Sequence, residues 1–250
     1  MGSERVNELT RWPRVDRDSI ATIRQWLTTQ PHLPQIQEHE IALFLHANYG
    51  DEAASQRTIE NYYTLRTNHR ECFTDRDVFS EAFQTAHRIM LTMCLDLWVK
   101  LDGNANGHVM LQDMQGMHLG HMTKMNMAAA KKHMFYVQEA LPIRLKQLHV
   151  INAVPFMSRL MLLVRPFMRK DVQEMINIHV DIGTLHQSVP VECLPSEYGG
   201  TAGTFQELHE SFKEKLCANS GWFRSEESQN LVDEAKRPPK PKRYMFGLFG

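Results

Sequence analysis

The first third of the chain carries its apolar residues at helical spacing. In residues 16–30 (DRDSIATIRQWLTTQ) they recur every three or four positions and prolines follow directly, which is typical of an amphipathic helix with a defined end. The same spacing recurs in residues 38–48 and 51–70, where Asp51 is placed as the N-cap. The sequence therefore predicts a small helical bundle here, followed by one long helix from Phe79 to Val99.

The pattern changes to short apolar runs in the second half. HVMLQDM (108–114) and QLHVINAV (147–154) flank a helical stretch at 126–141, and INIHV (176–180) follows another helical region. Two strands joined by a helical crossover run parallel, with right-handed chirality. The prediction is an α/β body after an all-α region, with parallel strands at 108–113, 147–153 and 176–180.

Composition and charge narrow the class of protein. A chain of 250 residues with 42% hydrophobic content can bury a sizeable core in one or two domains. The formal net charge is −1, but residues 236–243 carry five positive charges, which leaves −6 for the rest. An acidic body argues against a general nucleic-acid-binding surface.

The cysteines and the apolar runs indicate a soluble protein of the cytosol. The four cysteines show no CxxC spacing, which favours free thiols over a disulfide framework or a zinc site. The N-terminus lacks an apolar run, so no signal peptide is predicted. The longest apolar stretches fall well short of the roughly 20 residues that span a bilayer.

Motifs for catalysis are absent from the sequence. No GxSxG, GxGxxG, P-loop or HExxH pattern occurs, and the His118–His121 spacing is common by chance among 13 histidines. On a helix His87 and Cys94 would lie about 10 Å apart, too far for a thiolate–imidazole pair. We therefore expect no enzyme, and no cofactor or metal.

Two segments stand out locally. LPSEYGG (194–200) ends in paired glycines, which indicate positive φ or close approach to another segment. The tail at 236–250 joins its positive charges to aromatic residues, and its prolines prevent a regular helix through the basic part. It is either an unstructured end or a membrane anchor that combines charge with interfacial aromatics.

Four blocks in one order resemble the CRAL-TRIO lipid-binding family. They are FLHANYGDEAASQRTIENYYTLR (44–66), GHVMLQDMQGMHLGH (107–121), LPIRLKQLHVINAVPFMSRLMLLVRPFM (141–168) and LPSEYGG. Together they are similar to the branch that contains α-tocopherol transfer protein, retinaldehyde-binding protein and clavesins, and especially to its insect members. The resemblance covers residues 16–223.

The resemblance implies a three-part organisation. An N-terminal helical domain (1–75) would precede a lipid-binding α/β domain (76–223) with a largely parallel sheet and a helical gate over an apolar pocket. A basic C-terminal tail (224–250) would follow. LPSEYGG closes the lipid-binding domain in this family, which gives its glycines an architectural role.

One departure from the family pattern lies between residues 72–77 and the helix predicted from Phe79. Family members carry an additional segment there that ends in the first core strand, and this chain has nothing like it. Its loss implies an uncovered strand edge and puts lipid binding in question.

The resemblance also implies which residues line the pocket. For each apolar member, plain core packing explains the residue type equally well. Gln112 stands where relatives place a large apolar residue, so a buried amide there needs a partner, which is a ligand oxygen, a neighbouring side chain or water. The implied lining is His87, Met90, Cys94, His108, Met110, Gln112, His133, Tyr136, Val137, Leu141, Ile143, Leu145 and Leu148.

Residues 154–170 resemble the family's mobile gate. One apolar stripe contains Phe156, Leu160, Leu163 and Phe167, and Pro166 predicts a break in the helix. Such a face covers a pocket or touches a membrane, although an amphipathic core helix would show the same pattern.

The resemblance also implies contact with anionic lipid. In the tocopherol branch of the family, basic residues near the gate bind phosphoinositide headgroups. Arg144 and Lys146 match two of the family's headgroup positions, and Arg169 and Lys170 lie close to two others that are not basic here. A solvated basic face is the alternative.

Three functions therefore remain open at this point. The first is a monomeric cytoplasmic carrier, peripherally associated with membranes, that binds a small hydrophobic lipid such as a tocopherol, retinoid or carotenoid. The second is a phosphoinositide-reading trafficking adaptor that does not shuttle lipid. The third is a deleted isoform that has lost binding.

Overall fold

A computed structural model describes residues 15–74, 76, 87–123 and 126–239, and of residues 87–90 the backbone alone. The N-terminal region is helical, as predicted. Its helices are α1 (Arg17–Thr28), α2 (Glu38–Ala47), α3 (Glu52–Asn68) and the single turn α4 (Arg70–Phe73). The predicted cap is confirmed, because the Asp51 carboxylate accepts a hydrogen bond from the backbone amide of Ala54 at 2.9 Å.

The core of this region is apolar. Ile23 of α1, Ile41 and Leu45 of α2, and Ile59 and Tyr63 of α3 are almost completely buried against one another. These are the positions that helical periodicity placed on the inward faces. Burial of this apolar surface stabilises the bundle independently of any charged contact.

The body begins with α5 (His87–Asp102), and the part of the predicted helix before residue 87 lies outside the described residues. Strand β1 (His108–Asp113) follows, then the short helix α6 (Leu119–Thr123). The predicted crossover helix is α7 (Met127–Phe135), which continues as one wider π-helical turn over Tyr136–Ala140.

The sheet in the described residues has three parallel strands in the order β1–β2–β3, as predicted. β2 (Leu145–Ile151) begins two residues earlier than predicted, and β3 (Ile176–Ile178) ends two residues earlier. β1 forms one edge, and its Val109 is 47% exposed. Within the described ranges no strand pairs with β1 on this side, and the absence of the family segment stays a prediction.

The predicted gate forms α8 (Met157–Val164), and a 3₁₀ turn over Arg165–Phe167 replaces the helix at Pro166. The predicted break is therefore confirmed. Helix α9 (Lys170–Glu174) leads into β3, and α10 (Ile182–His186) follows it.

LPSEYGG forms a tight closing turn, as its glycines predicted. Gly199 has φ +75°, and a Cβ on Gly200 would lie 1.9 Å from the carbonyl oxygen of Leu194. The Tyr198 hydroxyl donates to the carboxylate of Asp113 at 2.5 Å, which fastens the turn to the carboxyl end of β1.

The chain returns to the N-terminal helices through α11 (Phe205–Ala218) and α12 (Ser220–Gln229). After α12, the backbone amide of Val232 donates to the Thr67 hydroxyl at 2.8 Å, and the Arg237 guanidinium pairs with Glu60 of α3. None of the helices in the described ranges has the length and hydropathy that a membrane crossing needs.

Candidate functional site

An apolar cavity of about 410 Å³ lies where the N-terminal helices meet the α/β body. Leu65 of α3 and Phe73 of α4 form one wall, and Leu91 of α5 forms the second. The alanines at 128–130 of α7, together with Tyr136, form the third. The volume falls in the range of small-molecule pockets, and the walls favour a hydrophobic occupant.

Charged side chains at the edge of this cavity pair with one another. The Lys132 ammonium lies 3.3 Å from the Glu71 carboxylate, and Nδ1 of His69 lies 3.7 Å from the same oxygen. Because the negative charge of Glu71 offsets the positive charge of Lys132, the edge presents little net charge to a molecule that enters.

Two polar groups lie deeper in the cavity wall. The Thr92 hydroxyl donates to the carbonyl oxygen of Cys72 at 2.6 Å, so it is already satisfied. His133 is half-buried in the lining, and desolvation lowers its pKa. The imidazole of His133 is therefore neutral at pH 7.

A buried cluster of charged side chains lies next to the cavity and contacts it through Tyr136. Asp96 of α5 accepts hydrogen bonds from Arg66 at 2.8 Å, from Arg76 at 2.5 Å and from the Tyr136 hydroxyl at 2.7 Å. Burial alone would raise the pKa of Asp96, but the two guanidinium groups and the hydroxyl hold it below its usual value. The cluster joins α3, α5 and the π-helical turn after α7.

The two arginines of this cluster also lie over aromatic rings. The Arg66 guanidinium lies 4.7 Å from the ring centre of Phe73, and that of Arg76 lies 4.9 Å from Phe223 of α12. The backbone amide of Arg76 donates to the Glu227 carboxylate at 2.6 Å. The cluster therefore also fastens the C-terminal helix to the site.

Sequence reasoning missed this cluster, although one signal was available. Asp96 is a lone acid in the apolar run MCLDLWV (93–99), and a buried acid in a helix needs a partner. The partners Arg66 and Arg76 come from distant positions whose burial no local pattern indicated.

The structure brings two residues of the expected lining to the apolar cavity, His133 and Tyr136. Cys94 packs instead in a core cluster with Leu97, Leu216 and Phe223. His87 and Met90 have side chains outside the described residues. The core cluster beside the cavity holds four further members of the expected lining, Met110, Val137, Leu141 and Ile143.

The expected gate packs directly on the sheet. Leu160 is buried in one cluster with Val150 of β2, and Leu148 and Phe156 lie against that cluster. Leu163 and its neighbour Leu162 point outward, and Leu162 is 74% exposed. Leu145 and Phe167 are half-buried.

Two polar members of the expected lining differ in their surroundings. Gln112 is exposed, so the expectation of a buried amide that needs a partner is wrong. It lies on β1, at the sheet edge that no described segment covers. His108 is buried with its ring centre 4.5 Å from that of Trp98, and desolvation lowers its pKa.

Two of the four expected headgroup residues line a second, cationic cavity of about 340 Å³. The Arg144 guanidinium and the Lys146 ammonium lie 4.2 and 4.9 Å from the ring centre of Tyr49, and Lys146 also donates to its hydroxyl at 2.6 Å. Tyr49 is 63% exposed, whereas Arg144 is only 8% exposed.

The other two expected headgroup residues lie at the start of α9. The Arg169 guanidinium forms ion pairs with Asp171 at 2.5 Å and with Glu139 at 3.3 Å. Lys170 is exposed. An anion at this position would compete with carboxylates that Arg169 already binds.

A third cavity of about 610 Å³ separates α2 from α12, and sequence reasoning did not foresee it. Its lining includes the carboxylates of Glu40 and Glu226, and burial raises the pKa of both. Its mixed walls suit polar contacts better than a hydrocarbon.

Family comparison agrees with this geometry. The family model described as CRAL/TRIO domain matches residues 59–200, which is more than half of the chain. The chain belongs to the CRAL/TRIO domain family. A second model, described as Pinta-like, UBA domain, matches residues 13–83, which include α1 to α4 of this CRAL/TRIO protein.

Curated relatives match the CRAL/TRIO protein in part. Alpha-tocopherol transfer protein-like of Homo sapiens is 34% identical over 99 residues, covering 39% of this chain and 29% of that protein. The protein of the same name from Mus musculus is 25% identical over 240 residues, covering 80% and 68%. Clavesin-1 of Rattus norvegicus is 28% identical over 97 residues, covering 38% and 27%.

The mouse alignment also bears on the absent segment. It has 240 positions, whereas 80% of a 250-residue chain is 200 residues, so about 40 positions have no counterpart in the CRAL/TRIO protein. The absence of the family segment before the helix predicted from Phe79 stays a prediction.

Proposed function

We propose that this protein is a non-catalytic carrier that binds a small hydrophobic lipid and transfers it between membranes. The observation that carries this proposal is the apolar cavity of about 410 Å³ at the junction of α3, α4, α5 and α7. Its volume suits one compact molecule, and most of its wall is hydrocarbon. Family membership and relatives named for tocopherol transfer support it.

Access to the cavity supports exchange of its contents. The ion-pairing groups at its edge are Lys132 of α7, Glu71 of α4 and His69, the residue that precedes α4. The ion pair between Lys132 and Glu71 is solvent-exposed, and such pairs contribute only about 0.2–1 kcal/mol. Opening the edge for lipid entry therefore costs little.

Peripheral contact with an anionic membrane is the second part of the proposal. The buried Arg144 and the exposed Lys146 supply two positive charges beside the exposed ring of Tyr49, and Lys170 adds another exposed cation. Exposed leucines of α8, above all Leu162, supply apolar surface for the interface. We place the carrier in the cytoplasm, with transient binding to phosphoinositide-containing or other anionic leaflets.

The cationic cavity favours one alternative function. A protein that reads phosphoinositides without carrying lipid needs the cavity at Arg144 and Lys146 but not the apolar one. The two functions are separable, because different elements line the two cavities.

Native mass spectrometry of the protein purified from its own tissue tests the proposal. We expect a complex heavier than the chain by the mass of one lipid, and release of that lipid to acceptor vesicles containing anionic lipid. A protein that is consistently empty, yet binds phosphoinositide vesicles, would support the adaptor instead. Failure of both would indicate an isoform without binding competence.

A further inference from the structure

The lining that the structure describes for the apolar cavity includes a polar group, the imidazole of His133, whose role the fold does not explain. Among the described side chains in its lining, those of Thr92, Tyr136, Lys132 and Glu71 all have partners within the protein. The imidazole of His133 has no hydrogen-bond or ion-pair partner in the described residues.

The position of His133 makes this observation informative. It belongs to the inward side of α7, one helical turn from the small residues at 129–130 and one turn before Tyr136, all of which line the cavity. A half-buried imidazole among apolar atoms loses part of its hydration, and a ligand oxygen in the cavity would replace the hydrogen bonds that it gives up.

The charges in the cavity lining determine which polar head group of a lipid would suit this imidazole. The Lys132 ammonium at the edge is already paired with Glu71, so no free cation in the described lining awaits a carboxylate or a phosphate. The neutral imidazole can donate from one ring nitrogen and accept at the other. It therefore suits a hydroxyl, which does both, or a carbonyl oxygen, which accepts.

We propose that His133 binds the head group of the lipid, and that this head is a neutral hydroxyl or carbonyl oxygen with the hydrocarbon body against Leu65, Phe73 and Leu91. The proposal rests on the lipid-carrier function and specifies its ligand class. It excludes ligands whose head is charged or absent as the preferred cargo.

Binding of matched retinoids to the full 250-residue chain tests this assignment. All-trans-retinol carries a hydroxyl, retinal a carbonyl and retinoic acid a carboxylate, whereas deoxyretinol has the same skeleton without oxygen. Quenching of tryptophan fluorescence gives Kd for each probe. The variants are His133→Leu, which keeps volume but removes hydrogen bonding, and His133→Gln, which keeps a neutral hydrogen-bonding group.

The expected result is a change in the ratio of the Kd of deoxyretinol to the Kd of retinol. Comparing this ratio between wild type and variant removes the effect of the different hydrophobicity of the two probes. His133→Leu should lower the preference for retinol over deoxyretinol about two- to tenfold, the loss of one hydrogen bond. His133→Gln should keep most of the preference. His209→Leu makes the same chemical change at an exposed site on α11 and should leave every ratio unchanged.

Three results separate the proposals. Wild-type protein that binds no retinoid would contradict the lipid site itself and this assignment with it. Binding of retinol and deoxyretinol with a ratio unchanged in His133→Leu would overturn the role of His133 while leaving the carrier function intact. Tighter binding of retinoic acid than of retinol would overturn the neutral head group. Thermal unfolding of each variant establishes that it is folded.

Discussion

The N-terminal core and the junction around Asp96 are built on opposite physical principles. Ile23, Ile41 and Ile59 bury hydrocarbon against hydrocarbon. At the junction, two guanidinium groups, a carboxylate and a phenol are buried together, next to the apolar cavity. The first arrangement tolerates small changes, because each contact contributes alone, whereas the second depends on every partner being present.

This difference suggests why the cavity can exist. A cavity lowers stability because its walls lose packing contacts. The Asp96 cluster holds α3, α5, the turn after α7 and the C-terminal helix α12 by directional bonds, so the walls need no tight packing across the space. Directional bonding at the junction therefore leaves room for a ligand.

The largest expected effect comes from Asp96→Asn. The amide keeps the shape but leaves the charges of Arg66 and Arg76 buried without compensation, so we expect a loss of about 3–5 kcal/mol in the free energy of unfolding. Chemical denaturation measures it. Asp102→Asn, at the exposed end of the same helix, is the control and should change stability by less than about 0.5 kcal/mol. Equal effects of the two variants would contradict the account of the cluster.

Tyr136→Phe should have an intermediate effect at the same place. It removes one of the hydrogen bonds that Asp96 accepts and leaves a buried carboxylate oxygen without that donor, at a cost of about 1–3 kcal/mol. Denaturation of the variant and the wild type under the same conditions measures the difference. No change in stability would mean that water replaces the phenol and that the junction is wetter than proposed.

Ile59→Val in the N-terminal core should cost less, about 0.5–1.5 kcal/mol, because it removes one methylene group from a fully buried site. The same denaturation experiment applies. A loss that exceeds the one from Asp96→Asn would reverse the comparison between the two regions.

The pH dependence of stability sharpens the comparison further. Burial lowers the pKa of His108, His133 and His149, so these side chains take up protons at a lower pH in the folded protein than in the unfolded chain, where histidine titrates near pH 6.5. Each of these histidines should therefore lower stability as pH decreases from 7.5 to 5.5, whereas the raised pKa values of Glu40 and Glu226 act in the opposite direction. Thermal unfolding across this range should show a smaller decrease for His133→Leu, and an unchanged decrease would contradict the burial of His133 in the folded state.

The sequence predicted the parts of the fold that depend on local patterns. The helices α1 to α3, the three parallel strands, the break at Pro166 and the tight turn at Gly199 and Gly200 all follow from spacing or backbone chemistry. The family resemblance was also found from local patterns, because it rests on four short blocks of sequence.

The site was harder to predict because it depends on contacts between distant segments. His133 and Tyr136 were placed in the lining by resemblance, but the contribution of α3 and α4 through Leu65 and Phe73 was not expected. The exposure of Gln112 was also missed, because alternation along β1 does not tell which neighbours cover it. Local patterns identify faces, and only the assembled fold shows where space remains.

The central claim is that the apolar cavity at the junction holds the lipid, and filling it is the most direct test. Ala129→Phe places a ring on α7 in the cavity that Leu91 and Phe73 also line, where it would occupy ligand volume. Native mass spectrometry of wild-type and variant protein, prepared identically, compares the fraction that carries lipid. We predict a lipid-loaded wild type and an empty, folded Ala129→Phe variant; a variant that carries the same lipid at the same occupancy would show that the lipid binds elsewhere.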